Sequence, residues 1–411
     1  EEHYEHELRM VAMKVALLGG LVLLSLLCVA RAQDDDDAME EHYEHKLGHP
    51  TTLSQKPHLH PHYQPPHKGG TIDPSNFFVV ILASVILAYC AFRAKSPPFV
   101  DMTGETAAQY EADAEAGEMK LSTTFAFVVV ASISLLLIFY FMKAMEILVT
   151  ILFSFLSTLA LGNLVYPYVD YYTQYRFTRN IEVPALGPVP MLVLVLAPVC
   201  SLVTLIWLLT KWWLINNILA FSLIVFFLTS VRLSSLKIGA SLLSMAFFYD
   251  IFWVFISGDI FGKNVMVTVA TGLDVPIKML IPLVYPHGPG ASFTLIGLGD
   301  IVLPGLMVCF ALRFDAYKEQ EWKTGYFAAA MCGYSVGLLV CEIVVGCFHL
   351  AQPAMIYLVP GVLGSMSLMA HKRGELPDLW QGIEPTHSRL EDDDHLEAGE
   401  EAGYLSKPQV Y

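Results

Sequence analysis

The sequence predicts an all-α, polytopic membrane protein with about nine transmembrane helices. Of its 411 residues, 55% are hydrophobic and only 15% are charged. Apolar windows recur between residues 76 and 370, and several are long enough to cross a hydrocarbon core of ~30 Å as a helix. No lysine or arginine falls inside any of these windows.

Nine windows are candidate spans, and the polar segments between them are short enough to be loops. The first and the fifth are the shortest. Together they form a predicted membrane domain over residues 76–370. The windows are 76–92, 122–142, 147–166, 189–209, 214–229, 238–257, 291–312, 325–347 and 353–370.

Residues 1–32, which precede the first window, are typical of a secretory signal peptide. Arg9 and Lys14 supply positive charge, residues 15–30 are apolar, and "ARA" at 30–32 fits a cleavage site. An uncleaved first span is the alternative.

The first nine residues are unusual, because "EEHYEHEL" (1–8) nearly repeats "EEHYEHKL" (40–47). Residues 1–9 are therefore interpreted as an artefact, with Met10 or Met13 as the start. The alternative is that residues 1–9 are a genuine part of the protein.

Residues 33–75 form a lumenal segment rich in histidine and proline. A metal-binding tail is one interpretation, because dense imidazoles capture Zn²⁺ or Cu²⁺. A disordered spacer is favoured, because four prolines among the histidines oppose a rigid ligand cage. The histidines are His42, His45, His49, His58, His60, His62 and His67.

The net charge of −15 does not indicate an acidic fold. Residues 121–370 contain eleven acidic and eleven basic residues, so the excess lies in the two terminal segments and the first long loop. Residues 371–411 are accordingly predicted to be a solvated, acidic tail. Acidic segments argue against nucleic acid as a partner. The seven cysteines form no CxxC pair and predict neither disulfides nor a zinc site.

Basic residues predict how the chain is oriented in the bilayer. With a translocated N-terminus, the cytosolic loops hold twelve lysines and arginines and the short lumenal loops only four. This positive-inside bias agrees with the signal peptide and predicts a lumenal N-terminus and a cytosolic C-terminus.

Three acidic residues fall inside the windows: Asp250, Asp300 and Glu342. A charged aspartate at mid-bilayer costs about 2.5–3.5 kcal/mol, so each is a functional candidate. Asp250 is the thirteenth residue of its window and Asp300 the tenth of the next, which predicts that both lie at mid-depth and face each other. Glu342 lies nearer the lumenal end, where it can reach water, and ranks lower.

Two close carboxylates in a low dielectric keep one proton between them, which supplies an acid and a base. One can activate water while the other protonates a peptide carbonyl, as in aspartic proteases. Gly297 and Gly299 leave room for a substrate beside Asp300. From spacing alone, a protease, a proton or cation relay in a transporter, and a structural pair remain open.

Three ordered motifs bear on this choice. They are "YD" (249–250), "GLGD" (297–300) and "QPAM" (352–355), on the sixth, seventh and ninth windows. The chain resembles the GxGD intramembrane aspartyl proteases over roughly residues 76–382. Through "DIFWVF" (250–255) and "QPAMIYLVP" (352–360) it is more similar to signal peptide peptidase and its relatives than to presenilin.

The resemblance implies that Asp250 and Asp300 are the catalytic pair. Residues that shape the active site or contact substrate would surround this pair, and Met355 departs from the usual leucine with similar volume. Those residues are Tyr249, Gly297, Leu298, Gly299, Pro353, Ala354 and Met355. The resemblance implies no metal and no cofactor.

The resemblance also implies partners and a location. Signal peptide peptidases cut type II membrane proteins or remnant signal peptides, and the predicted lumenal N-terminus matches their orientation. The chain is then an endomembrane protein of the ER, the Golgi or a later compartment, in contact with the lipid bilayer and able to form a homo-oligomer. A proton-coupled or metal transporter and a catalytically silent scaffold of the same fold are the alternatives.

In the stretch "NVMVTVA" (264–270), valine stands at every second residue. The alternation predicts a strand that pairs with an unwound substrate. A plain loop is the other interpretation.

Overall fold

The computed structural model describes residues 74–95, 119–173, 180–183, 187–273, 275–283, 293–348 and 352–383. The predicted signal peptide, nearly all of the histidine-rich segment and the acidic tail beyond residue 383 lie outside these ranges. The first residues assigned to the tail do lie within them, and they form the last turn of one helix and a further short helix.

The described chain is helical, with two short β-hairpins, and a helix occupies each of the nine predicted windows. This confirms the all-α, multi-pass membrane fold. The elements are α1 (Ser75–Lys95), α2 (Leu121–Tyr140), α3 (Met142–Tyr172), β1 (Asn180–Val183), β2 (Gly187–Pro190), α4 (Met191–Thr210), α5 (Trp213–Ser230), α6 (Leu236–Ile251), a π-helical turn (Phe252–Ile256), α7 (Ser257–Phe261), α8 (Val265–Gly272), β3 (Lys278–Pro282), β4 (Phe293–Gly297), α9 (Leu298–Tyr317), α10 (Tyr326–Phe348), α11 (Met355–Arg373) and α12 (Leu376–Gln381).

Among the described residues, seven helical segments are long and apolar enough to cross a membrane. They comprise α1 to α5, the continuous segment Leu236–Phe261, and α10. The two other long helices, α9 and α11, bear the GLGD and QPAM motifs. Helix α9 includes three charged residues and α11 is less apolar, so the count of nine spans stays a prediction.

Helix α9 lies at the centre of the main hydrophobic core. Thirteen of its twenty residues are buried, and it packs against α1, α5, α6, α10 and α11. Helix α2, by contrast, buries only Thr124 within the described part of the chain. Because close packing restrains α9 on several sides, the GLGD motif at its start is held by the core rather than by a loop.

Helices α10 and α11 approach each other at backbone distance. A methyl group added at Gly337 would lie 2.7 Å from the carbonyl oxygen of Tyr357, and one at Gly333 would overlap the carbonyl of Gly361. Small residues allow this approach in membrane helix pairs. The contact sets the height of α11, and therefore of the QPAM motif, against α10.

The start of the seventh window differs from the prediction. Residues 293–297 form strand β4, which pairs antiparallel with β3, and the helix begins only at Leu298. An apolar window does not distinguish a buried strand from a helix. Here the pairing with β3, which begins 15 residues earlier, favours the strand.

The strand predicted over 264–270 is wrong, because residues 265–270 lie in helix α8 and Asn264 directly precedes it. Val265 and Val269, one turn apart, both pack into a cluster around Trp253. The side-chain amide of Asn264 donates to the carbonyl of Val254 (2.6 Å). A helix bonds its own backbone groups, whereas an unpaired strand in an apolar setting leaves them unsatisfied.

Candidate active site

Asp250 lies near the end of α6 and is buried, with 5% of its surface exposed. Its Oδ2 accepts a hydrogen bond from the backbone N–H of Met355, 3.1 Å away. The YD motif of the sixth window and the QPAM motif of the ninth are therefore in direct contact, 105 residues apart in sequence.

Met355 is the first residue of α11, and the preceding Ala354 provides no side-chain cap. Asp250, which belongs to another helix, acts as the cap instead. Its carboxylate accepts from one of the N–H groups that the start of a helix leaves without an intrahelical partner. The positive end of the helix also favours a negatively charged acceptor. Since the contact uses the backbone, the methionine that replaces the usual leucine does not alter it.

Asp300 is the third residue of α9 and therefore lies at the start of the helix, while its depth in the bilayer stays a prediction. Gly297 has extended backbone angles (φ −69°, ψ 144°) and marks the change from strand to helix. A methyl group at Gly297 would lie 3.3 Å from Asp300 Oδ2, whereas one at Gly299 would meet nothing within 4 Å. Gly297 therefore leaves room beside the carboxylate, and Gly299 adjoins open space; their role in substrate access stays a prediction.

Asp300 is half-buried and lies close enough to Asp250 for their carboxylates to interact electrostatically. No hydrogen bond to its side chain occurs within the described ranges. Glu342 on α10 also interacts electrostatically with Asp300. The structure therefore brings together the three acidic residues that the sequence places inside the apolar windows.

The remaining predicted site residues surround this group. Tyr249 packs its ring against Trp253, with 6.1 Å between ring centroids. The backbone N–H of Leu298 donates to Ile277 (3.0 Å) and extends the β3–β4 ladder into the motif. Pro353 is buried directly before the Asp250 contact.

The chain matches the family model described as signal peptide peptidase over residues 111–386. This match covers more than half of the chain. The chain belongs to the signal peptide peptidase family.

Curated relatives agree with this assignment. Signal peptide peptidase-like 2 of Arabidopsis thaliana is 39% identical over 227 residues, covering 51% of this chain and 42% of the relative. Signal peptide peptidase-like 5 of Oryza sativa subsp. japonica is 35% identical over 280 residues, covering 65% and 51%. Signal peptide peptidase-like 1 of the same rice is 33% identical over 299 residues, covering 62% and 80%. The chain thus spans about half the length of the first two relatives.

In this family member, the outer edge of strand β3 is capped by two asparagines of α5. The amide of Asn217 donates to the carbonyl of Leu280 (2.7 Å) and accepts from its N–H (2.8 Å). Asn216 donates to the carbonyl of Lys278 (2.8 Å). These bonds reproduce those of a third strand and hold the hairpin against the bundle.

The opposite edge of the hairpin, on β4, is open. The hydrogen bond from the N–H of Leu298 to the carbonyl of Ile277 fixes which residues of β4 bond to β3. Because bonded residues alternate along a strand, the backbone groups of Ile296 and Thr294 point towards β3. The backbone groups of Phe293 and Leu295 and the N–H of Gly297 consequently point away from β3, and no backbone partner for them lies within the described ranges. The carbonyl of Gly297 belongs to the first turn of α9. This open edge leads directly into the GLGD motif.

A π-helical turn over Phe252–Ile256 follows Asp250 within two residues. The hydroxyl of Ser257 donates to the carbonyl of Trp253 (2.6 Å) and accepts from the N–H of Val265 (3.2 Å). Such turns interrupt α-helices mostly at functional sites. Here the turn offsets the helix next to Asp250, and the Ser257 hydroxyl ties it to α8.

At the other end of α9, Asp315 is 1% exposed and caps helix α10. Its two oxygens accept from the N–H groups of Tyr326 (2.7 Å) and Phe327 (2.8 Å). The absence of a side chain at Gly325 makes room for this carboxylate. Asp315 falls just outside the seventh window, which is why sequence reasoning missed it.

Sequence reasoning also missed Asn216 and Asn217. Two adjacent amides inside an apolar window are themselves a signal, because a polar side chain in a span needs a partner. The partner strand was not recognised, so the amides had no assigned role.

Proposed function

We propose that the chain is an intramembrane aspartyl endopeptidase that cuts the transmembrane segments of type II membrane proteins or remnant signal peptides. The observation that supports this most is the meeting of Asp250 with Met355, with Asp300 in electrostatic range. Membership in the signal peptide peptidase family supports the same activity.

The two aspartates would divide the work of general acid and base. The N–H of Met355 and the positive end of α11 favour charge on Asp250, which makes it the base. Asp250 removes a proton from water, the water oxygen bonds to the peptide carbon, and Asp300 gives its proton to the carbonyl oxygen. As the tetrahedral gem-diol collapses, the C–N bond breaks and the amine nitrogen receives the proton held by Asp250. One gem-diol hydroxyl returns a proton to Asp300, which leaves a carboxylic acid and restores both aspartates.

A helical substrate must unwind before this reaction, because its peptide bonds are enclosed by its own turns. The open edge of β4 offers backbone donors and acceptors to an extended segment, by addition of a strand. This edge takes the role that the sequence had given to residues 264–270. A substrate paired there would run directly past Gly297 and Gly299 to Asp300.

The predicted orientation supports type II substrates and an endomembrane location in the ER or Golgi. With the N-terminus lumenal, α6 runs from the cytosolic side to the lumenal side, and α9 runs from the lumenal side to the cytosolic side. The transmembrane helix of the substrate would then cross the site in the N-to-C direction that type II proteins and signal peptides share.

The test is cleavage of a type II reporter by the full chain in liposomes, compared with Asp300→Asn. Asparagine keeps the side-chain volume but can neither donate nor accept the catalytic proton. We expect product from the wild type and none from the variant at equal expression. Equal product from both would overturn the proposal, as would its complete absence from both across a panel of type II and signal-peptide reporters.

A second arm of the experiment addresses a transport function. Proton and metal flux are measured in the same liposomes for the wild type and for Asp250→Asn. Flux that disappears with Asp250→Asn, without any peptide product, would replace the protease by a transporter.

A further inference from the structure

Glu342 occupies the same layer of the membrane domain as the two catalytic aspartates. The contact between Asp315 and Tyr326 aligns α9 with α10 at one end. Asp300 lies 15 residues from Asp315, and Glu342 lies 16 residues from Tyr326. At ~1.5 Å per helical residue, the two carboxylates stand ~22 Å and ~24 Å from that contact.

A second alignment places Glu342 within one helical turn of the same height. Gly337 is opposite Tyr357 where α10 meets α11. Glu342 lies five residues beyond Gly337, and Met355 lies two residues beyond Tyr357 in the same direction. The difference of three residues corresponds to ~5 Å. Glu342 therefore lies within about one helical turn of the hydrogen bond between Met355 and Asp250.

The Glu342 side chain is half-buried, and no hydrogen bond or ion pair to it occurs in the described part of the chain. It interacts electrostatically with Asp300 and with its neighbour Cys341. Lys278 is a basic residue of the hairpin that pairs with Gly297, three residues before Asp300. Its ammonium group donates to the carbonyl of Leu273 (3.0 Å).

Three acidic side chains thus share a layer of low dielectric in which the hydrogen-bond donors are few. A buried carboxylate without a donor is unfavourable, and a cation that arrives with good geometry offsets this. Open space adjoins the layer at Gly299. A basic side chain of a bound substrate would supply such a cation.

We propose that Glu342 is a specificity-determining residue, which selects substrates bearing a lysine or arginine close to the bond that is cut. The inference rests on the proposed protease function. A basic side chain in the unwound segment pairs with Glu342, while an acidic one is repelled by the whole layer.

The test uses a type II reporter with a polyleucine span, whose cleaved bond is first located by mass spectrometry. Lysine, glutamine or glutamate is then placed at each of the three positions on either side of that bond. Cleavage rates are compared for the wild type, Glu342→Gln and Glu342→Lys. The control is Glu146→Gln, which makes the same change at an exposed acid of α3.

At one or more positions, we expect the wild type to cut the lysine reporter at least about tenfold faster than the glutamate reporter. Glu342→Gln should reduce this ratio to within about twofold, and Glu342→Lys should reverse it. Glu146→Gln should keep the wild-type ratio. An unchanged lysine-to-glutamate ratio in Glu342→Gln would overturn the proposal.

The readout is a ratio, so a general loss of activity does not imitate the effect. If Glu342→Gln cuts none of the reporters, binding is measured instead in Asp300→Asn, which cannot turn over. The lysine and glutamate peptides compete for binding to Asp300→Asn and to the double variant that also carries Glu342→Gln. The same preference for lysine in both proteins would overturn the proposal. Absence of cleavage of the polyleucine reporter by the wild type would count against the protease function and not against the selection of charge.

Discussion

Asp300 and Asp315 lie at opposite ends of the same helix, α9, and their surroundings differ. Asp315 is almost fully buried and accepts two backbone N–H groups from the first turn of α10. Asp300 is half-buried, has no hydrogen-bond donor within the described ranges, and lies beside the acidic residues Asp250 and Glu342.

Under the proposed function, this difference separates a structural carboxylate from a reactive one. Donors that saturate both oxygens stabilise a fixed negative charge and leave nothing for a ligand. A carboxylate that handles protons needs a free oxygen for water or substrate. Asp250 is intermediate, because Oδ2 accepts from Met355 and Oδ1 has no partner within the described ranges.

The two ends of the bundle differ in the same way. At the Asp315 end, Tyr326 donates to Glu375 (2.7 Å), Arg373 donates to Thr324 (2.8 Å), and Ile383 donates to Ser234 (3.0 Å). These bonds connect α10, α11 and α12 to the start of α6. We infer that this end holds the helices together so that the Asp300 end can remain open.

The largest expected effect on stability is that of Asp315→Ala. The change leaves the N–H groups of Tyr326 and Phe327 buried without acceptors, which should lower the free energy of unfolding by about 3 kcal/mol. Denaturant unfolding in mixed micelles measures it. A loss below about 0.5 kcal/mol would contradict the capping role.

The control for this prediction is Asp378→Ala at the same end of the bundle. Asp378 pairs with Lys318 at 2.7 Å, but both are partly exposed, so the loss should be below about 1 kcal/mol. The hydrogen bond from Lys318 to Asp378 raises the pKa of Lys318. The pair therefore contributes fully below the unfolded pKa of this lysine, and the contribution disappears as the pH rises through the folded pKa.

The next largest effect is expected at the open edge of β4. Leu295→Pro removes an N–H that points away from β3, so it should slow cleavage about tenfold or more while the fold is kept. Ile296→Pro removes an N–H that faces β3 and should lower thermal stability as well. Reporter cleavage and unfolding midpoints, measured on both variants, distinguish them. Wild-type cleavage by Leu295→Pro would exclude pairing along this edge.

The smallest effect is expected for Met355→Leu. Asp250 contacts the backbone N–H of residue 355, and the two side chains are similar in volume. Cleavage rates should therefore agree within about twofold. A change larger than tenfold would mean that the methionine side chain itself has a function in the site.

Much of the site could be predicted from the sequence, because its signals are local. Asp250, Asp300 and Glu342 are conspicuous in apolar windows, and the order of the YD, GLGD and QPAM motifs indicates the family. The contact between Asp250 and Met355 brings together residues that these motifs already name. The meeting of the motifs follows from the packing of α6, α9, α10 and α11.

The β3–β4 hairpin could not be predicted, because it depends on partners distant in sequence. Leu280 is held by Asn217, 63 residues earlier, and β4 is read as part of a helix when only its apolar composition is considered. The helix α8 was mistaken for a strand for the opposite reason, since its alternating valines favour a strand locally. Packing of Val265 and Val269 against Trp253 overrides that preference.

The most direct test of the contrast within α9 is to make the same substitution at both ends. Asp300→Asn and Asp315→Asn each exchange a carboxylate for an amide, and both are examined for cleavage per folded molecule and for the unfolding midpoint. We predict that Asp300→Asn abolishes cleavage and leaves the midpoint unchanged or higher. Asp315→Asn should lower the midpoint and keep cleavage per folded molecule. Cleavage retained by Asp300→Asn, or lost by a fully folded Asp315→Asn, would contradict the assignment of the two roles.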